Sequence, residues 1–412
     1  MTSRMHALMQ APRPLGTLLC AALLAVPPLS VADTWRDDVK TVNCHQHASL
    51  ADAIAQADPG DTLIIKGVCQ GPITITQDQL TLDGLGSGAI DGDGQDVVTI
   101  NTARQVTLRG LEIRQGANGL IANGVAQLTL AHVTSQANAA TGMLIQGSSS
   151  VTIAESSAQQ NGLTGIDIEG SSSVTLTGNI VTSQNGVFGM VIGTASNATL
   201  ARATVVSAHN TLGMQVASTS NIFLNDSETI LTAHDNATIG VTITSGSHLF
   251  SFGGRILCFS NGLSGVFVAS RSGMEVDRAG AIVSHHNGED GVLVQTVSLL
   301  NLFNAPQFSG AQGFSTVETH HNGRHGISAL VLSAVHMFNQ AKIVSQHNGA
   351  AGLFADDGSS LLVIQSTVTD NATSDILLSF GARADLTLNT IDQIHCDQTS
   401  LIRGDTGAGC PQ

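Results

Sequence analysis

The sequence predicts an all-β solenoid, a parallel β-helix of about 12 coils with a short N-terminal capping helix. Three observations carry this. Ten asparagines, Asn138, Asn161, Asn185, Asn210, Asn236, Asn261, Asn287, Asn322, Asn348 and Asn371, recur mostly every 23 to 26 residues, with one gap of 35. A glycine follows each of the first nine, four residues on in all but one case, as in Gly142, Gly165 and Gly189. Nine residues after each glycine comes an apolar or small residue, as in Val151, Val174 and Ala198, and that offset never changes. A fixed period means one unit stacked on itself. Composition agrees: 44 glycines, 11% charged residues and no tyrosine suit short strands and tight turns rather than long helices.

The elements follow in chain order. Arg4 and Arg13 flank an apolar stretch, Leu15 to Val26, and Ser30-Val31-Ala32 resembles a cleavage site, so residues 1–32 read as a secretory signal. Leu19 stands before Cys20 where a lipid-anchor cysteine wants a small residue, and no later stretch is a membrane-span candidate. Residues 33–72 form the N-terminal cap, with a helix from Ser49 to Ala57, Ser49 as N-cap, Asp52 at N3 and Pro59-Gly60 as the stop. Residues 73–391 form the helix proper and 392–412 the C-terminal cap. Export permits disulfides, and Cys44–Cys69 and Cys396–Cys410 are the expected pairs, leaving Cys258 as a buried thiol.

Within one coil, Met143 and Ile145 alternate with Leu144, then Val151 and Ile153 with Thr152, which is the strand period. The polar run Glu155 to Gln160 reads as a corner. Nearly all length variation falls there. Stacked asparagines at an inner corner can bond the amides of neighbouring coils.

This grammar resembles the right-handed parallel β-helix superfamily typified by pectate lyases. The stretch Leu50 to Ile54, followed by Ala57 to Ile65, is similar to the opening of many such proteins. The resemblance spans nearly the whole mature chain. It implies the fold more than a function, because that fold hosts lyases, hydrolases, epimerases, esterases, adhesins and copper-associated periplasmic proteins. The enzyme signatures mostly fail. There is no R-x-P-x-x-R stretch and no D-P-H-D, and His325-Gly326 precedes Asp356-Asp357, the reverse of the polygalacturonase order.

Four candidate sites remain. His286, His321 and His347 directly precede ladder asparagines on three consecutive coils and could share Zn²⁺ or Cu²⁺; His234, His285 and His320 sit one residue earlier. The same column holds Gln160, Gln184 and Asp235 elsewhere, so it also reads as a tolerant polar corner. Asp167 and Glu169 make one acidic pair on the outward face of the first sheet, a candidate for acid–base work on a glycoside. Phe267 and Leu293 on that face, with Phe308 and Phe314 in the longest insertion, could hold a sugar, a protein partner or a second copy of the chain. Asp91, Asp93 and Asp96 have the look of a calcium loop but lack the spacing and the distal Glu. Net charge −15 argues against nucleic acid and against an anionic membrane surface. The expected protein is secreted or periplasmic. It binds, and as a lyase or glycoside hydrolase would process, extracellular or cell-envelope polysaccharide; the alternatives are a non-catalytic scaffold or adhesin, or a periplasmic metal-binding accessory protein.

Overall fold

The computed structural model describes residues 38–304, 313–338 and 340–404. The proposed leader, Phe308 and Cys410 lie outside them. Fourteen parallel strands, from Ile73–Ile75 to Ile394–Cys396, stack into one sheet. A second sheet of 26 strands bends over the two other faces of the coil. The solenoid therefore has fourteen rungs rather than about 12. The first sheet strands, Ile73–Ile75 and Val98–Asn101, precede the first ladder asparagine, which is why a count by asparagines falls short.

The corner before each asparagine is not a simple turn. It contains a third strand, such as Ser157–Gln159 or Ala281–His285. In four coils the second and third strands are one element, Thr81–Asp91, Thr107–Arg114, Ser173–Ser183 and Asn197–Ala208; the register between the last two shifts between Leu176 and Gly178. The run is polar because its outward positions face water, while single inward positions such as Ala158 are fully buried.

Each buried asparagine is held from both sides. Asn161 Oδ1 accepts from the Asn138 backbone N–H at 3.2 Å and from Asn138 Nδ2 at 3.0 Å. Asn161 Nδ2 donates onward to Asn185 Oδ1 at 3.0 Å and to the Ser135 carbonyl at 3.2 Å. The pattern runs unbroken to Asn371, whose Nδ2 donates to Asp375 Oδ1 at 3.1 Å. Asp375 is itself buried, and its other oxygen accepts the N–H groups of Asp392 and Gln393 at 2.9 Å each. A turn that would otherwise bury unpaired amides is satisfied at each rung of the ladder.

The glycine column exists to make room for this ladder. A Cβ built on Gly165 would lie 2.7 Å from Asn185 Nδ2 and 2.5 Å from the Gly189 carbonyl. The opposing inward column is correspondingly small: Ser135, Ala158, Thr182, Ser207, Ala233, Cys258 and Ser284. Cys258 is thus a small apolar residue in a small-residue column, and burial pushes its thiol pKa far up.

A second ladder, of serines, runs along another corner. Ser149 N–H donates to Ser172 Oγ, Ser172 N–H to Ser196 Oγ and Ser196 N–H to Ser220 Oγ, at 3.1, 3.1 and 3.2 Å. It continues through Ser247, Ser272, Ser298 and Ser333 to Ser359.

The helix is minor, Leu50–Ala55, with Ser49 Oγ accepting from Asp52 N–H at 3.1 Å. Leu50 and Ile54 bury their side chains, and Gln77 Nε2 donates to the Ile54 carbonyl at 2.9 Å, tying the helix to the first rung. Cys44 and Cys69 form a disulfide across 25 residues. Among the described residues no helix is long and apolar enough to cross a membrane.

Candidate functional site

The third strands and the corners after them carry the histidines. The last outward residue of each third strand forms one column, in which His234, Phe259, His285 and His320 are in register on four rungs. Their rings stack almost parallel, with centroids 4.8, 5.3 and 4.8 Å apart. The next residue, just before the asparagine, always has positive φ: 56° at His286, 55° at His321 and 54° at His347. This left-handed corner is where histidine, asparagine and aspartate are tolerated best among non-glycines. It turns the side chain outward beside the strand column. His286, His321 and His347 stack at 5.1 and 5.2 Å.

The two columns touch. His285 Nδ1 lies 2.8 Å from His286 Nδ1, and His320 Nδ1 lies 3.1 Å from His321 Nδ1. His285 and His320 are held below the ordinary histidine pKa, by burial first and then by neighbouring imidazoles. Reading the sequence by its asparagines locates both sets of histidines but gives the shared ion to the corner column, His286, His321 and His347. The strand column needs the third strand, and its signal is the histidine two residues before Asn287 and Asn322.

Asp167 sits on strand Thr164–Ile168 of the fourteen-stranded sheet and points outward, in register with Leu144 on one side and Val191 on the other. These apolar neighbours leave it half-buried. Desolvation, reinforced by the negative charge of Glu169, raises its carboxyl to about 6.

Phe267 and Leu293 are adjacent in register on the same sheet, flanked by Thr242 and Ser328, and both are half-buried. Phe314 is half-exposed but leads into strand Ser315–His320, a strand of the other sheet, so it does not join that stripe. Further aromatic pairs, not evident from the repeat, lie outward on or just beyond the second strands. Phe223 stacks on Phe250 at 5.1 Å, Phe303 on Phe338 at 5.1 Å, and the Arg278 guanidinium covers Phe252 at 4.9 Å.

The acidic turn is occupied by the fold itself. Asp96 Oδ1 accepts from the Asn118 backbone and side-chain amides at 3.1 and 2.8 Å, and Asp91 pairs with Arg114 at 3.5 Å. A shallow cavity of about 300 Å³ opens nearby between coils, where Gly86, Gly88 and Gly110 leave the wall open beside Glu112 and His132.

The sequence profile described as "Right handed beta helix region" matches residues 96–279. No curated protein matches by sequence. Among solved structures, pectate lyase Pel9A is similar at 14% identity, over 65% of this chain and 76% of that one, with a TM-score of 0.45. A double mutant of the periplasmic alginate epimerase AlgG is similar at 12% identity, over 88% and 84%, with a TM-score of 0.47. The mannuronan C-5 epimerase AlgE6 A-module of Azotobacter vinelandii is similar at 15% identity, over 89% and 94%, with a TM-score of 0.42. These likenesses describe the solenoid alone. Profile and architecture agree on a right-handed parallel β-helix fold for this chain, without assigning a family or subfamily.

Proposed function

We propose that the chain binds and processes an extended extracellular or cell-envelope polysaccharide along the outward face of its fourteen-stranded sheet. At about 4.8 Å per rung that face offers a run of roughly 60 Å, the scale of an oligosaccharide rather than a small metabolite. One observation carries the catalytic part. Burial, with the neighbouring Glu169, raises the Asp167 carboxyl to about 6, so it is available to give or take a proton near neutral pH. Such a pair suits glycoside hydrolysis or lyase chemistry. The stripe of Phe267 and Leu293 is proposed to supply apolar contact for a sugar ring. The Cys44–Cys69 disulfide supports a secreted or periplasmic setting.

The test is a panel of neutral and uronate polysaccharides incubated with the wild type and with Asp167→Asn. Reducing ends and unsaturated products are assayed, and binding is measured separately. Product from the wild type, reduced at least roughly 100-fold in the variant, is the expected result. Binding without product would leave a carbohydrate adhesin. Neither binding nor product from any polymer would favour a non-catalytic scaffold that uses the Phe267 and Leu293 stripe for a protein partner or a second copy.

A further inference from the structure

We propose that His285, His286 and His320 form a binding site for one late first-row divalent cation, Zn²⁺ or Cu²⁺, with His321 and His347 continuing the imidazole array beside it. The inference is independent of the polysaccharide reading. The three side chains offer ring nitrogens that all lie within 4.8 Å of one another. A metal–nitrogen bond of about 2.0–2.1 Å sets neighbouring ligand nitrogens about 3 Å apart. His285 Nδ1 and His286 Nδ1, at 2.8 Å, already stand near that separation. Without a metal, one ring donates its Nδ1 proton to the other's lone pair. When that proton sits on Nε2 instead, both Nδ1 atoms carry a free lone pair, the ligand form of imidazole.

The fold does not require histidine at these places. The strand column holds Gln136, Gln159 and Gln346 on other rungs, and the left-handed corner holds Gln160 and Gln184. Histidine is nevertheless concentrated on consecutive rungs where the two columns meet. Imidazole nitrogen is a preferred donor for Zn²⁺ and Cu²⁺, whereas Ca²⁺ and Mg²⁺ require oxygen. The carboxylate of Glu318, outward on the same strand as His320, adds a favourable charge.

The repeat itself supplies the test variants. His285→Gln, His286→Gln and His320→Gln each install a residue that the same column already accepts, so the folded state is preserved. Chain free of any histidine tag is titrated with Zn²⁺ by calorimetry and with Cu²⁺ by electron paramagnetic resonance. The expected result is one ion per chain at micromolar concentration, with nitrogen couplings from three imidazoles. The triple variant should bind at least roughly 100-fold more weakly, while His132→Gln with His395→Gln, far from the array in the chain, should bind as the wild type does. No binding at micromolar metal overturns the proposal, as does equal binding by the triple variant or a spectrum with a single coordinating nitrogen.

Discussion

Replacing Asn236 by alanine is expected to destabilise the central coils by about 3–5 kcal/mol. The side chain is buried and makes four hydrogen bonds. Its Oδ1 accepts from Asn210 N–H at 3.0 Å and Asn210 Nδ2 at 3.2 Å, and its Nδ2 donates to the Ser207 carbonyl at 3.1 Å and Asn261 Oδ1 at 3.0 Å. Each net bond is worth about 1 kcal/mol, and an orphaned buried partner costs about 1–3 kcal/mol. Asn210 N–H donates to Asn236 Oδ1 and loses that acceptor in the variant, so it sets the floor. Water entering the cavity would relieve part of the loss, which keeps the total below the simple sum. Because solenoid coils couple mainly to their neighbours, urea unfolding followed by circular dichroism should be fitted with a nearest-neighbour scheme. Hydrogen exchange read by mass spectrometry supplies the local measure: the Asn210 amide should lose protection more than the Asn348 amide. A destabilisation below about 1 kcal/mol, or uniform loss of protection along the chain, would refute the view that each asparagine satisfies its own turn.

Three further outcomes are expected. Asp167 has a native pKa of about 6 against an unfolded value of 3.8, so the native state binds the proton more tightly. Stability should therefore fall as pH rises from about 4 to 6, by up to about 2–3 kcal/mol, and Asp167→Asn should flatten that slope in urea titrations at stepped pH. Replacing both Cys44 and Cys69 by alanine opens a loop of 25 residues and should cost about 3.5 kcal/mol on the chain-entropy account, seen as earlier thermal unfolding of the N-terminal rungs. Cys258→Ser should change stability by less than about 1 kcal/mol, since serine fills the same column at Ser207 and Ser284, and the native thiol should resist aromatic disulfide reagents until the chain unfolds.

The stacking architecture was readable because side-chain size and hydrogen bonding repeat at fixed offsets. Asn161 and Gly165 are legible as a pair because one needs the space the other leaves. The third strand was not legible, since Ser157 to Gln159 is too short and too polar to show a period, and its pairing depends on the coils above and below. The serine ladder had a signal that the apolar reading passes over: Ser149, Ser172 and Ser196 each stand two residues before the invariant apolar position. Of the candidate residues, His286, His321 and His347 share a column, as their common spacing implied. Their contact with His285 and His320 depends on the left-handed corner, and backbone sign is not written in residue type where Ala137, Gln160 and Ser260 adopt it as well. The environment of Asp167 was hidden for a related reason. Its desolvation comes from Leu144 and Val191, residues on neighbouring coils 23 and 24 positions away.

The asparagine ladder also has a direction. Every side-chain amide presents its oxygen toward the preceding coil and its nitrogen toward the following one, from Asn138 through Asn371. Ten amide dipoles thus add head to tail along the core, and hydrogen-bonded amides polarise one another. The donor end of this file is met by the buried carboxylate of Asp375, at 3.1 Å from Asn371 Nδ2. The solenoid is in this sense an electret: a polarised filament running along its core, closed at its donor end by the Asp375 side chain. A coil inserted with its amide reversed would set donor against donor, so the ladder enforces one polarity on every repeat that joins it.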